Sequence, residues 1–123
     1  MKTDYYSTCP FPKPGSTKRQ KPQNGYKDKP KRRCWYCGEM YAERHEIFGG
    51  PFREISIELG FQVDACPVHH RQLHQTGDSW AQIEGQKWRM YYQMKWEEEQ
   101  IADGMDPETA REAWIDMMGR NYL

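Results

Sequence analysis

No stretch of this chain approaches the ~20 apolar residues that a membrane-spanning helix needs, so no membrane role is expected of its 123 residues. Residues 1–6 lack the apolar core of a secretory signal, which points to a reducing, intracellular setting. Apolar residues are scarce at 37%, against the ~45–50% (glycine included) of ordinary globular domains. A large core is therefore not expected. Cysteine is limited to four residues. In a reducing compartment, so few thiols suggest metal ligation rather than a disulfide scaffold. Net charge is missing as well, because 18 basic and 18 acidic residues cancel. A neutral total gives no ground for ranking the chain as a nucleic-acid binder by isoelectric point.

The neutrality hides a division. Residues 1–33 hold ten Lys or Arg and two acids, whereas residues 34–123 hold eight bases and sixteen acids. Such asymmetry suggests a basic arm for nucleic acid attached to a folded body. The arm also carries Pro10, Pro12, Pro14, Pro22 and Pro30 and few aliphatics, a composition that builds no core. It is expected to be extended and flexible. Tyr5, Tyr6, Phe11 and Tyr26 are candidates to dock on the body or stack on bases. Lys31, Arg32 and Arg33 close the arm and are candidate phosphate contacts.

The body divides into residues 34–78 and residues 79–123. In the first, Cys34-x2-Cys37 and Cys66-x2-His69 form two pairs separated by 28 residues. Zinc takes four tetrahedral sulfur or nitrogen ligands, and pairs two residues apart chelate it from a tight turn. Cys34, Cys37, Cys66 and His69 are therefore the candidate ligands of a structural zinc, which helps a body with little core. Cys9 lies outside the pattern and is expected to be a spare thiol. Residues 43–48 and 61–64 read as short strands, with a loop at Gly49, Gly50 and Pro51. Cys66-Pro67 opens a helix. On that helix His70 and His74 are four apart, so they share a face and suit a second ion.

Residues 79–102 read as one long helix, capped at Asp78 or Ser79 and ended at Gly104. A second helix opens at Asp106-Pro107-Glu108 and stops at Gly119. Trp88, Tyr91, Tyr92 and Trp96 recur at helical spacing. They form either a base-stacking platform or, preferably, a face packed on Trp114, Met117 and Met118. Glu97-Glu98-Glu99 reads as a solvated face that would turn away from DNA.

The run Glu43-Arg44-His45-Glu46-Ile47-Phe48-Gly49-Gly50, framed by the two zinc pairs and followed by His70-x3-His74, resembles the HNH, or ββα-metal, nuclease superfamily. It looks most like the small HNH proteins of bacteriophages and prophages. The likeness covers residues 34–75 and leaves the C-terminal helices unexplained. It implies a zinc-stabilised ββα-metal module; with the two following helices and the basic N-terminal arm read from the residues, the expected fold is α+β. It also implies a metal-dependent endonuclease of DNA in the bacterial cytoplasm, working beside phage or host DNA-processing proteins. The ion would be Mg²⁺, Mn²⁺, Ni²⁺ or Zn²⁺. Such cleavage needs an activated water and charge neutralisation at the phosphate.

Many HNH proteins have two adjacent histidines, the first a metal ligand and the second the general base. Here His45 is followed by Glu46. Two assignments stay open. In one, His45 is the base and His70, His74 and Glu46 hold the ion. In the other, His45 binds the ion and Glu46 is the base. The near-neutral pKa of histidine favours the first. Neighbours on a strand face opposite ways, so His45 and Glu46 are not expected to share the ion. Arg53, placed in the inter-strand loop, and Arg71 are candidate phosphate contacts, or else surface partners of Glu54 and Glu58. Ser56 reads as a turn cap. Two other functions compete: a non-catalytic zinc module binding nucleic acid or a protein, and an inhibitor whose acidic body mimics DNA.

Overall fold

A computed structural model describes residues 31–123, so the basic arm up to Pro30, with Cys9 and the arm's aromatics, lies outside the described residues. The described chain is α+β, with four α-helices and one two-stranded antiparallel sheet. Strand β1 is Glu43–Glu46 and strand β2 is Gln62–Ala65. Their register pairs Glu43 with Ala65 and His45 with Val63. Pleating puts Glu43 and His45 on one face, both buried, and Arg44 and Glu46 on the other. The first strand ends two residues earlier than the pattern suggests. Ile47 still donates its backbone N–H to Phe61, but its side chain and that of Phe48 turn into the core.

The connection between the strands is not a plain loop. A 3₁₀ turn at Gly50–Phe52 leads into helix α1, Arg53–Leu59. Arg53 is thus the first helical residue and Ser56 lies inside the helix. Ser56 is fully buried, and its Oγ donates to the Phe48 carbonyl while accepting from the Phe48 N–H. It ties the helix to the end of β1 rather than capping a turn.

Helix α2, Pro67–Leu73, follows β2 directly and packs on both strands. Its N-cap is Cys66, whose sulfur accepts the N–H of His69. Helix α3, Ser79–Ala102, is capped by Asp78, whose carboxylate accepts the N–H of Ala81 at 3.0 Å. Helix α4, Pro107–Met118, has Asp106 as its cap and proline at its first position, where the missing N–H costs nothing. It ends at Gly119, in the left-handed region at φ +86°. Both long helices have the bounds that their caps and stops predict.

The core is mostly aromatic. Phe48, Phe61, Trp88, Tyr91, Tyr92 and Trp114 are buried together with Ile47, Val63 and Met118. The rings of Trp88, Tyr91 and Tyr92 belong to this core, so their helical spacing records packing rather than a base-stacking platform. Three such rings compensate for the shortage of aliphatics, since each aromatic side chain buries a large apolar area. Tyr92 donates its hydroxyl to the Gln62 carbonyl at 2.6 Å, fastening α3 to β2. The acidic run is not simply a solvated face. Glu97 is buried, accepting from Gln93 and pairing with Arg111, and Glu99 pairs with Lys95. Only Glu98 of the three is exposed. Among the described residues no helix is long and apolar enough to cross a membrane.

Candidate metal centres

All four histidines and three of the four cysteines gather into two clusters at the ends of the hairpin and the start of α2. The first joins Cys34, Cys37, Cys66 and His69, with one donor atom of each within 4.8 Å of the others. The Cys37 and Cys66 sulfurs are 3.8 Å apart, and His69 Nδ1 is 3.3 Å from Cys66 Sγ and 3.6 Å from Cys34 Sγ. Two sulfurs each ~2.3 Å from a tetrahedral zinc are separated by about 3.8 Å. The thiols are free, not joined as disulfides.

Local chain geometry makes this cage. A turn over residues 35–37 returns the Gly38 N–H to the Cys34 carbonyl at 2.9 Å. Trp35 N–H donates to the Asp64 carbonyl, bringing the turn beside β2 and Cys66. Burial raises the Cys34 pKa, but N–H groups of Cys66, Cys37 and Tyr36 outweigh it and lower the value overall. At Cys37 the N–H of Glu39 lowers the pKa, but burial and the neighbouring thiols push it up to about 11. Crowded thiolates repel one another, and a bound cation relieves that repulsion. The donor set and spacing are compatible with a structural zinc.

The second cluster is His45 of β1 with His70 of α2 and His74 at its C-cap, again with donor atoms within 4.8 Å. The His45 ring centroid is 5.2 Å from that of His70 and 4.9 Å from that of His74. His70 Nδ1 donates to the Glu43 carboxylate at 2.7 Å, which fixes the ring and leaves Nε2 as the available lone pair. His45 is buried, and its Nδ1 has no hydrogen-bond partner among the described residues. A buried ring nitrogen without a hydrogen-bond partner is costly. Burial, then His74, His70 and Arg89, hold the His45 pKa down to about 3, so the ring is neutral at pH 7. His74 is lowered as well, by burial and by His70, against the opposing charge of Glu46. Neutral imidazoles are the ligand form.

A cavity of about 380 Å³ opens beside this cluster, lined by His45, Glu46, His74, Gln82, Gly85 and Arg89 among others. Glu46 reaches the cavity but does not join the three imidazoles. Its carboxylate accepts from Gln62 at 3.4 Å and lies 3.4 Å from Arg53. Arg53 is thus occupied by Glu46 and Glu54 rather than standing alone in a loop.

The other candidate phosphate contacts are dispersed. Arg71 and Lys31 are exposed. Arg33 is exposed and donates to the Gly38 carbonyl at 3.3 Å. Arg32 turns inward, donating to the Ala42 carbonyl and pairing with Asp64, so its guanidinium holds the zinc turn against β2. Two site residues escape the motif search, Glu43 and Arg89. Glu43 is two residues before His45, which on a strand means the same face. Arg89 follows a glycine placed inside a helix, four residues earlier.

The chain matches no protein-family model, no curated protein and no solved structure. What the two clusters do has to be judged from their own geometry.

Proposed function

We propose that the protein is a phage- or prophage-type metal-dependent endonuclease that hydrolyses phosphodiester bonds in DNA on an HNH-like module. The observation that carries this is the convergence of three imidazoles, one from the hairpin and two from the following helix and its C-cap, beside an open cavity. Cys34, Cys37, Cys66 and His69 hold a zinc that fixes the hairpin to α2. His45, His70 and His74 hold a second divalent ion, Mg²⁺, Mn²⁺, Ni²⁺ or Zn²⁺. When bound, that ion supplies an acidified water and neutralises charge building on the phosphate.

The packing favours the second of the two assignments. His45 brings a ring nitrogen within 4.8 Å of donor atoms of His70 and His74, which supports it as a ligand. Glu46, on the cavity wall, accepts the proton of the attacking water. Arg53 and Gln62 orient its carboxylate. Glu43 holds the His70 ring in its binding tautomer. In the bacterial cytoplasm the enzyme would act on phage or host DNA alongside DNA-processing proteins, with the basic N-terminal residues adding salt-sensitive affinity.

The test is plasmid nicking by the zinc-loaded protein with Mg²⁺, Mn²⁺ or Ni²⁺. His45→Ala and His70→Ala are expected to remove nicking. Glu46→Gln should slow it by about 10²–10⁴-fold, the usual worth of a general base. Wild-type activity in these variants would overturn the site, and no cleavage with any ion would leave a zinc-binding module without catalysis.

A further inference from the structure

Next to the cavity at the histidines lies a second one of about 450 Å³, lined by Gln86, Arg89, Arg120, Asn121 and Tyr122 among others. The two cavities share Ile47, Gly49 and Arg89, so they form one groove with Arg89 at the junction. The far wall is the C-terminal segment, which is firmly placed. Trp114 donates its indole N–H to the Arg120 carbonyl at 3.1 Å. Gln93, fully buried, accepts the Tyr122 N–H at 2.7 Å and donates to Asn121 Oδ1 at 2.8 Å.

Two guanidinium groups stand along this groove with no carboxylate against either among the described residues. Arg120 lies 4.9 Å from the Tyr122 ring centre and Arg89 lies 5.8 Å from it, on an aromatic support that positions a guanidinium without neutralising it. Arg32, Arg53 and Arg111, by contrast, are each paired with an acid. Arg89 also has a seat cut for it. A Cβ added at Gly85 would come within 3.0 Å of Arg89 Nη1 and 3.4 Å of Nη2. Glycine is disfavoured inside a helix, and here it lets the guanidinium lie back along α3 into the cavity beside His45 and His74.

The geometry points to a nucleic-acid track: the phosphodiester backbone runs from the histidine cluster past Arg89 to Arg120, with both guanidinium groups on phosphates and Gly85 positioning the first. Planar, multi-donor guanidinium suits phosphate oxygens. This extends the proposed endonuclease to the surface that holds its substrate, and it assigns a binding role to the helices outside the HNH-like part.

The experiment is fluorescence anisotropy of a labelled DNA oligonucleotide on zinc-loaded full-length protein, without added Mg²⁺, Mn²⁺ or Ni²⁺, over a salt series. Arg89→Gln and Arg120→Gln should each weaken binding about 5–10-fold and reduce the salt slope by about one. Gly85→Ala, which only makes Arg89 Nη1 shift by a few tenths of an ångström, should weaken binding by about 2-fold, less than Arg89→Gln, although no charge is removed. Lys87→Gln, one charge fewer on the same helix, should bind like wild type. Circular dichroism melts check that each variant is folded. Wild-type binding by Gly85→Ala and Arg89→Gln, or equal losses in all four variants, would overturn the track. So would an absence of binding by the wild type. Failure of the nuclease proposal is separate, because it is read as no nicking by wild type while the Arg89 and Gly85 effects on binding persist.

Discussion

His45 places an ionisable ring where solvation is poor and other imidazoles are close. Its pKa is about 3 in the folded chain, against ~6.5 when unfolded. Between these values the unfolded chain carries a proton that the folded chain does not. The stability contributed by the neutral buried ring is therefore complete above pH 6.5 and is lost as pH falls toward 3. In urea unfolding of zinc-loaded protein, the stability gap between wild type and His45→Asn should shrink from pH 7 to pH 4.5. A gap that stays constant would show that His45 is not buried neutral. The same residue shows what the sequence could reveal. His45, His70 and His74 are legible because a strand and a helix have fixed periods. The choice between ligand and base was not legible, because it depends on where the His45 nitrogens point after packing. Glu43 was within reach of the same period-2 rule that separates His45 from Glu46.

At the level of elements, caps and stops carry the most information. Asp78, Asp106, Pro107 and Gly119 delimit α3 and α4 by local hydrogen bonding and backbone freedom, which sequence displays directly. Helix α1 has a stop at Gly60, in the left-handed region at φ +77°, but no start signal. Its N-cap position is Phe52, which makes no side-chain cap bond, and it follows Gly49-Gly50-Pro51. Tertiary anchors form it instead: Ser56 on Phe48, and Ile57 in the interior. Gly119 is needed twice over, since it sits at φ +86° and an added Cβ would lie 3.1 Å from Phe52 Cζ. Left-handed backbone costs a non-glycine residue about 1–2 kcal/mol. Gly119→Ala should lower Tm by roughly 4–16 °C in a thermal melt, at about 4–8 °C per kcal/mol for a domain of this size. An unchanged Tm would mean that the C-terminal segment is not fixed as described. Gly85 costs α3 about 1 kcal/mol relative to alanine, and a Cβ there would press on Arg89 Nη1 at 3.0 Å.

For the whole molecule, the zero net charge resolves into an uneven surface. The excess of acid in the body is partly internal: Glu43 serves His70, Glu97 serves Arg111 and Gln93, and Glu84 accepts from the Tyr36 hydroxyl. The helical half is not uniformly turned from phosphate, because Arg89 and Arg120 both come from it and face the groove. The cluster of Cys34, Cys37, Cys66 and His69 joins the turn before β1 to the start of α2. Structural zinc in small peptides contributes ~10–16 kcal/mol, comparable with the whole stability of a domain. The zinc cluster is therefore expected to be needed for folding, and the histidine cluster only for its ion. Native mass spectrometry of the zinc-purified chain titrated with Mn²⁺ tests this division most directly. The account predicts one tightly held zinc plus one exchangeable divalent ion, with His70→Ala losing only the second and remaining folded. A single ion per chain, unaffected by His70→Ala, would contradict it.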